Sequence, residues 1–309
     1  MDFYVNLIIA AISSGTPLLF AVLGGILSER SGVIFLGAEG TMLIGAVVSC
    51  LTFVQTDSLA LSIGAAVAAA GAAGLLHAFL CVTLKANQIV CGLALTLFGT
   101  GLSAYLGKPV AGQALAVSVP KLQLSWLEPV PFLGPILSNL DILVWFSFLL
   151  VVVLYVYMNK TSWGLHLRAV GDNPATSDAM GLSVAKLRYG HVMAGSMLMG
   201  LAGAYLIMVY SPNWMEGMTS GRGWIAIALV ILAGWNPLYA LGGAYLFGGL
   251  DALGFRMQLM DIGVPSYFLK MLPYLVTILV LILVGWRGRN KPSIEPKALG
   301  APYVREQRF

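Results

Sequence analysis

Charge is scarce in this chain. Only 10% of its 309 residues are Asp, Glu, Lys or Arg, against about 25% in an ordinary soluble domain. That shortage excludes a soluble enzyme and a disordered protein alike. Histidine is rarer still: His77, His166 and His191 are scattered and make no metal site. Cysteine also numbers three, Cys50, Cys81 and Cys91, all in or beside apolar runs. An odd count without CxxC or Cys/His spacing excludes a disulfide scaffold and leaves small core residues. Nucleotide-handling signals are missing too. Five residues separate Gly101 from Gly107-Lys108, and Pro109 follows the lysine, so no phosphate-cradling GxxxxGK[ST] loop exists. Neither a G-x-S-x-G elbow nor HExxH occurs, and both would be expected of their hydrolase classes. The net charge of +4 comes without a basic run interleaved with aromatics, so nucleic acid is not a partner to expect. No metal and no cofactor are expected on this chain.

What is abundant is apolar sequence. At 59% hydrophobic, the chain holds enough for about nine spanning helices of ~20 residues. The apolar runs are continuous rather than alternating, which argues against a membrane β-barrel. The fold class expected is all-α, a polytopic transmembrane helical bundle of about nine spans, some broken or short. The segments run near 5–27, 33–52, 58–84, 87–107, 139–158, 187–210, 220–234, 236–257 and 266–286. The seventh is short, and Gly234-Trp235-Asn236-Pro237 breaks it from the eighth, because Pro237 disfavours helix at Asn236. The fourth carries Gly92, Gly99 and Gly101 and is a candidate discontinuous helix. The 36 glycines suit helices whose backbones approach closely in lipid.

Basic residues set the orientation. With the amino terminus outside, twelve of the 17 Lys and Arg fall inside or in the carboxyl-terminal tail; the positive-inside rule therefore predicts amino terminus out and carboxyl terminus in. The first apolar stretch precedes any basic residue and is too long for a cleaved leader, so it is expected to remain as a membrane helix. Residues 1–286 form the transmembrane domain. Residues 108–138 read as an external segment with Trp126 and Phe132 at the interface, and 159–186 as a cytoplasmic loop. Residues 287–309 read as a disordered basic cytoplasmic tail.

An ionisable group at bilayer depth is a functional candidate by default. Glu39, in Leu36-Gly37-Ala38-Glu39-Gly40, is a gate, a bond between helices, or an interfacial acid paired with Arg30 or a helix amino terminus. Asn87, Gln88 and Asn236 line a pathway or end helices. Asp251 and Arg256 are five apart, which does not favour a direct pair. Residues 210–223 read as a short external connection. In it Trp214 fits an interfacial belt, and Glu216 and Arg222 either are solvated or face a docking partner or a substrate entrance; all three are candidates for external docking. Acids in mid-helix are nearly absent, which argues against an ion-coupled transporter.

The stretch 167–183 specifies a small helix with care. Asn173 is a good N-cap, Pro174 suits the first helical position and Gly181 suits the position after the last turn. Helix 174–180 is marginal alone, with Ala175, Ala179 and Met180 for an apolar face and Ser177 and Asp178 left polar. It is either a capped connector or a helix that couples the chain to a cytoplasmic ATPase.

Four stretches carry a resemblance: Thr16–Leu19 through Leu27–Val33; Gly37–Ala46; Leu167–Pro174; and Glu216–Ala226 through Trp235–Pro237. With them the chain resembles a permease subunit of an ATP-binding-cassette importer. Its branch includes ribose and branched-chain amino acid permeases, and within it the likeness is to nucleoside and simple-sugar permeases. The resemblance implies two paired permeases, often different, two cytoplasmic ATPase subunits and an extracytoplasmic substrate-binding protein. It implies a multi-pass protein of a bacterial-type inner (plasma) membrane that imports nucleosides or simple sugars. It gives Arg168, Gly171, Asp172, Asn173, Pro174, Asp178 and Gly181 to ATPase coupling. Phe35 departs from the pattern, standing where a polar residue is expected. Alternatives are a branched-chain amino acid permease and a secondary transporter or channel without an ATPase. Neutral polar cargo fits a pathway with few fixed charges.

Overall fold

The computed structural model describes residues 2–122, 133–259, 265–288 and 294–305. Trp126, Phe132, Arg289, Lys291 and Arg308 lie outside the described residues, so the expectations placed on them are not addressed below. Among the described residues the chain is helical and has no strand. The elements are α1 (Asp2–Arg30), α2 (Ala38–Thr56), α3 (Leu59–Ala78), α4 (Gln88–Gly107), α5 (Leu133–Ser138), α6 (Ile142–Lys160), α7 (Ser162–Asp172), α8 (Pro174–Ala179), α9 (Val184–Tyr205), α10 (Arg222–Leu232), α11 (Pro237–Leu259) and α12 (Ser266–Gly288). Wider π turns extend α3 over Phe79–Thr83 and α9 over Leu206–Tyr210.

Seven of these helices are long and apolar enough to cross a membrane, and Arg222–Leu232 and Met271–Val280 are shorter apolar stretches. The nine segments expected from hydropathy each meet one of these nine. Their starts are set by local chemistry. Ser58, Asn87, Asp141, Thr161 and Asn173 each offer a side-chain oxygen to a backbone N–H of the first turn of α3, α4, α6, α7 and α8, satisfying donors that a helix start leaves free.

Helix α1 is the axis of the bundle. It packs on α9, α10 and α11, while α2, α3, α4 and α9 form a second group beside it. Phe20 of α1 is fully buried between Phe146 and Tyr205. The expected glycine packing is present: a Cβ on Gly24 would run into the carbonyl of Gly195, so α1 and α9 touch backbone to backbone. Outer faces are apolar and exposed, as at Leu97 and Ile282, which suits lipid.

Two helices begin halfway through the bundle. Residues 31–37 leave α1 without helical structure and turn back inward. His77 Nε2 and Gln88 Oε1 meet Ile34 at 3.0 and 2.8 Å. Thr96 donates to the Leu36 carbonyl at 2.9 Å, and Gly40 packs on Leu95 and Thr96. Those partners climb α4, so α2 starts ~10–12 Å above the first residue of α4. Helix α10 comes from the other direction. Its far end, through Trp235, lies level with Glu29 and Arg30 of α1, and Arg222 is ~15 Å of helix away from that end. The bilayer core is ~30 Å thick, so α10, with 11 residues, is too short to cross it alone. The second span begins at Ala38, later than expected.

The tail differs from expectation more sharply. Residues 294–305 are packed, not disordered. Ala298 N–H donates to the Gly171 carbonyl at 2.9 Å and Gly300 N–H to Gly32 at 3.2 Å, and Pro296 and Ala298 are buried. The backbone supplies this docking, which is why a polar, basic sequence did not announce it.

Candidate functional site

The half-length helix α10 is held at both ends by the connection between α1 and α2. At its start the Glu39 carboxylate accepts from the Thr219 hydroxyl at 2.6 Å, Gly221 N–H at 2.8 Å and Gly223 N–H at 2.6 Å. An acid belongs there, because a helix amino terminus carries partial positive charge and unpaired N–H groups. At its end Arg30 donates to the Gly234 and Trp235 carbonyls, each at 3.4 Å, where a cation meets the negative end of the helix. Trp235 Nε1 donates to Glu29 at 2.7 Å. Left-handed φ values at Gly234 (58°) and Trp235 (53°) turn the chain from α10 into α11. Gly223 approaches the Glu39 backbone so closely that a Cβ would clash. Link and helix thus form one mechanical unit.

Beside the start of α10 lies a cavity of about 550 Å³, walled by α1, the α9 extension, residues 211–220, α10, α11 and α12. One side is polar. Asp251 Oδ2 accepts from Arg222 at 2.9 Å, Ser14 at 2.6 Å and Tyr210 at 3.3 Å. The Arg222 guanidinium lies 4.9 Å from the centre of the Tyr210 ring. Asp251 keeps 34% of its side chain exposed and Arg222 14%, so the pair faces the open space. Asp251 thus pairs across helices with Arg222, a partner that spacing along α11 does not reveal.

On the Arg30 face, α7 and α8 form a projecting corner. Asn173 Oδ1 accepts from Thr176 N–H at 3.0 Å, Pro174 opens the helix, and Gly181 follows it with φ 84°. Helix α8 ends at Ala179, one residue short of the expected 174–180. Ser177, expected to stay polar and open, is buried, while Ala175, Ala179 and Met180 are exposed, Met180 at 79%. Among the described residues nothing covers this apolar face of the corner. Below it, buried Arg188 donates to the Ser31 and Ala301 carbonyls at 3.2 and 3.3 Å. Arg305 pairs with Asp178 at 3.0 Å. Gly171 touches the Arg30 carbonyl, which leaves no room for a side chain.

The sequence candidates therefore scatter over three places. Glu39 caps α10, and Gln88 braces Ile34. Asn87 and Asn236 cap α4 and α11 through first-turn N–H groups, and neither lines the cavity. Trp214 is not a docking surface: it is 2% exposed and sits against Gly107. Glu216 is exposed. Arg222 turns to Asp251 rather than to an external partner. Arg168, Gly171, Asp172, Asn173, Pro174, Asp178 and Gly181 all belong to the corner; Arg168 Nε is buried there without a hydrogen-bond partner. Four groups escaped sequence reasoning: Glu29, Ser14, Tyr210 and Arg188. For Glu29 and Arg188 their place at the edge of a span was a signal. Ser14 and Tyr210 gave no signal apart from the fold.

Comparison with known proteins agrees with this architecture. Residues 7–284 match the family described as branched-chain amino acid transport system / permease component. The putative glucose ABC transporter permease protein TsgC13 of Haloferax volcanii is 37% identical, over 99% of each chain. The guanosine ABC transporter permease protein NupQ of Bacillus subtilis is 34% identical over 97% of this chain and 96% of its own. The nucleoside ABC transporter permease protein NupC of Lactococcus lactis is 34% identical over 94% of each. No solved structure matches. This multi-pass membrane chain belongs to the family of permease components of branched-chain amino acid transport systems.

Proposed function

We propose that the chain is one membrane subunit of an ATP-driven importer for nucleosides or simple sugars. The observation that carries this reading is α10, clamped by Glu39 and Arg30, which joins the α7–α8 corner to the cavity. ATP is hydrolysed on separate subunits that dock on the corner, where Met180 and its neighbours await a cover. A second, different permease completes the pathway, and an extracytoplasmic binding protein delivers cargo at the opposite face. The orientation in this reading is amino terminus out and carboxyl terminus in, in the plasma membrane, which the distribution of Lys and Arg supports. No cofactor acts on this chain. The names of the relatives support nucleoside or sugar cargo, and a pathway with one balanced ion pair suits neutral solutes.

The mechanism follows the contacts. A push on α8 reaches α7, whose Gly171 lies on the Arg30 carbonyl. Arg30 grips the end of α10, and α10 carries Arg222 into the cavity wall. Cargo access changes only if nucleotide favours one of two arrangements of this rod. The test is uptake by proteoliposomes holding this chain, its partner permease and the ATPases, with the binding protein supplied at the extracytoplasmic face. ATP-dependent entry of guanosine or glucose is expected. Entry through the purified chain alone, driven by an ion gradient without ATP, would show a secondary transporter instead.

A further inference from the structure

We propose that the cavity beside Arg222 and Asp251 is a binding station for a nucleoside, held within this one chain, and that the ion pair reads the polar edge of the base. The inference rests on the import reading above and goes further by placing the cargo and choosing between its two classes.

The first argument is the pair itself. An Arg and an Asp in a membrane interior are costly, and a purely structural pair is often no better than an apolar replacement. Here three donors converge on one oxygen, Asp251 Oδ2, and a third of the Asp251 side chain stays open to the cavity. The site presents a fixed cationic donor beside a carboxylate acceptor. A neutral ligand with adjacent acceptor and donor atoms satisfies both without leaving a charge unbalanced.

The second argument is the distribution of polarity. Two polar groups share the wall: Tyr210 and Arg222 bonded to Asp251, and Tyr274, which donates to the Ser220 carbonyl at 3.4 Å. Away from these groups the lining is mostly apolar, with Leu18, Leu206, Met218, Ile225 and Phe247, and Ser211 and Gln258 are its remaining polar members, available to the hydroxyls of a ribose. A free sugar carries hydroxyls around its whole rim and needs polar partners on all sides, or it loses hydrogen bonds to water. A nucleobase has two flat apolar faces and one polar edge, which is the pattern of this wall. The volume of about 550 Å³ lies within the ~300–1,000 Å³ range of small-molecule sites.

The test uses the full chain in lipid nanodiscs, with guanosine and glucose as probes in equilibrium binding. Saturable guanosine binding is expected, with glucose at least tenfold weaker. Arg222→Gln and Asp251→Asn should each weaken guanosine at least tenfold. Because those changes also loosen the fold, Met215→Trp is the second variant. Met215 is exposed on the lining segment, so the bulkier ring fills the cavity without breaking the pair and should abolish binding at unchanged thermal stability. Equal binding of glucose, or unaltered guanosine binding in Met215→Trp, overturns the proposal. ATP-driven guanosine uptake by the assembled importer with no binding to this chain also overturns it and leaves the import reading standing. Binding to this chain without any ATP-dependent uptake upholds the station and overturns the import reading.

Discussion

Single residues act in this protein chiefly where backbones meet. Glu39 takes three hydrogen bonds on two oxygens. In Glu39→Gln one of those oxygens becomes an NH2 group facing a donor, with the charge lost as well. We expect a cost of about 1–3 kcal/mol, read as a lower thermal midpoint and faster hydrogen exchange at 221–225. An unchanged midpoint would mean that the cap is not holding α10. Glycines divide in the same way. A Cβ on Gly40 would lie 2.6 Å from the Leu95 carbonyl oxygen and the Thr96 Cα, whereas nothing lies within 4 Å at Gly101. Gly40→Ala is therefore expected to destabilise by about 1–3 kcal/mol. Gly101→Ala should be neutral or stabilising by up to ~1 kcal/mol. Thermal unfolding of the two variants side by side decides this; equal effects would show that α2 and α4 do not approach as described.

At the scale of elements, the packed tail offers a separate prediction. Residues 294–305 bring the Ala301 carbonyl to Arg188 and close over Gly171 and Gly32. Removing residues 294–309 should leave Arg188 short of an acceptor in a buried site and loosen the 31–37 link. Hydrogen exchange should rise at 31–37 and 167–173 and stay unchanged in α3 and α6. No change at the link would make the tail a passive appendage. Much of the element order was legible beforehand. Leucine-rich runs, the Asn173-Pro174 start and the Gly234–Pro237 break fixed nine helices and the α8 corner. What stayed hidden was depth. Val33, Ile34, Phe35 and Leu36 are apolar, so hydropathy merges them with α2, although none is helical; Val33 and Phe35 are buried. The same blindness left Arg222 without its partner Asp251, because their pairing depends on how α10 and α11 cross.

At the scale of the whole molecule, the account joins two faces through one rod. Orientation is its simplest global prediction. In a chain stripped of its three native cysteines, Glu216→Cys should react with a membrane-impermeant maleimide on intact cells. Thr176→Cys should react only after the membrane is opened. Both sites are exposed in this chain, so the reverse pattern would place the corner outside, beyond reach of any ATPase. The most direct measurement is ATP-driven uptake by the assembled importer after residues 173–181 are replaced with a Gly/Ser linker of equal length, with ATPase co-purification followed in parallel. Coupling through the corner predicts that uptake falls to background and ATPase retention drops, while the bundle still unfolds near its original temperature. Normal uptake with the ATPase fully retained would contradict it.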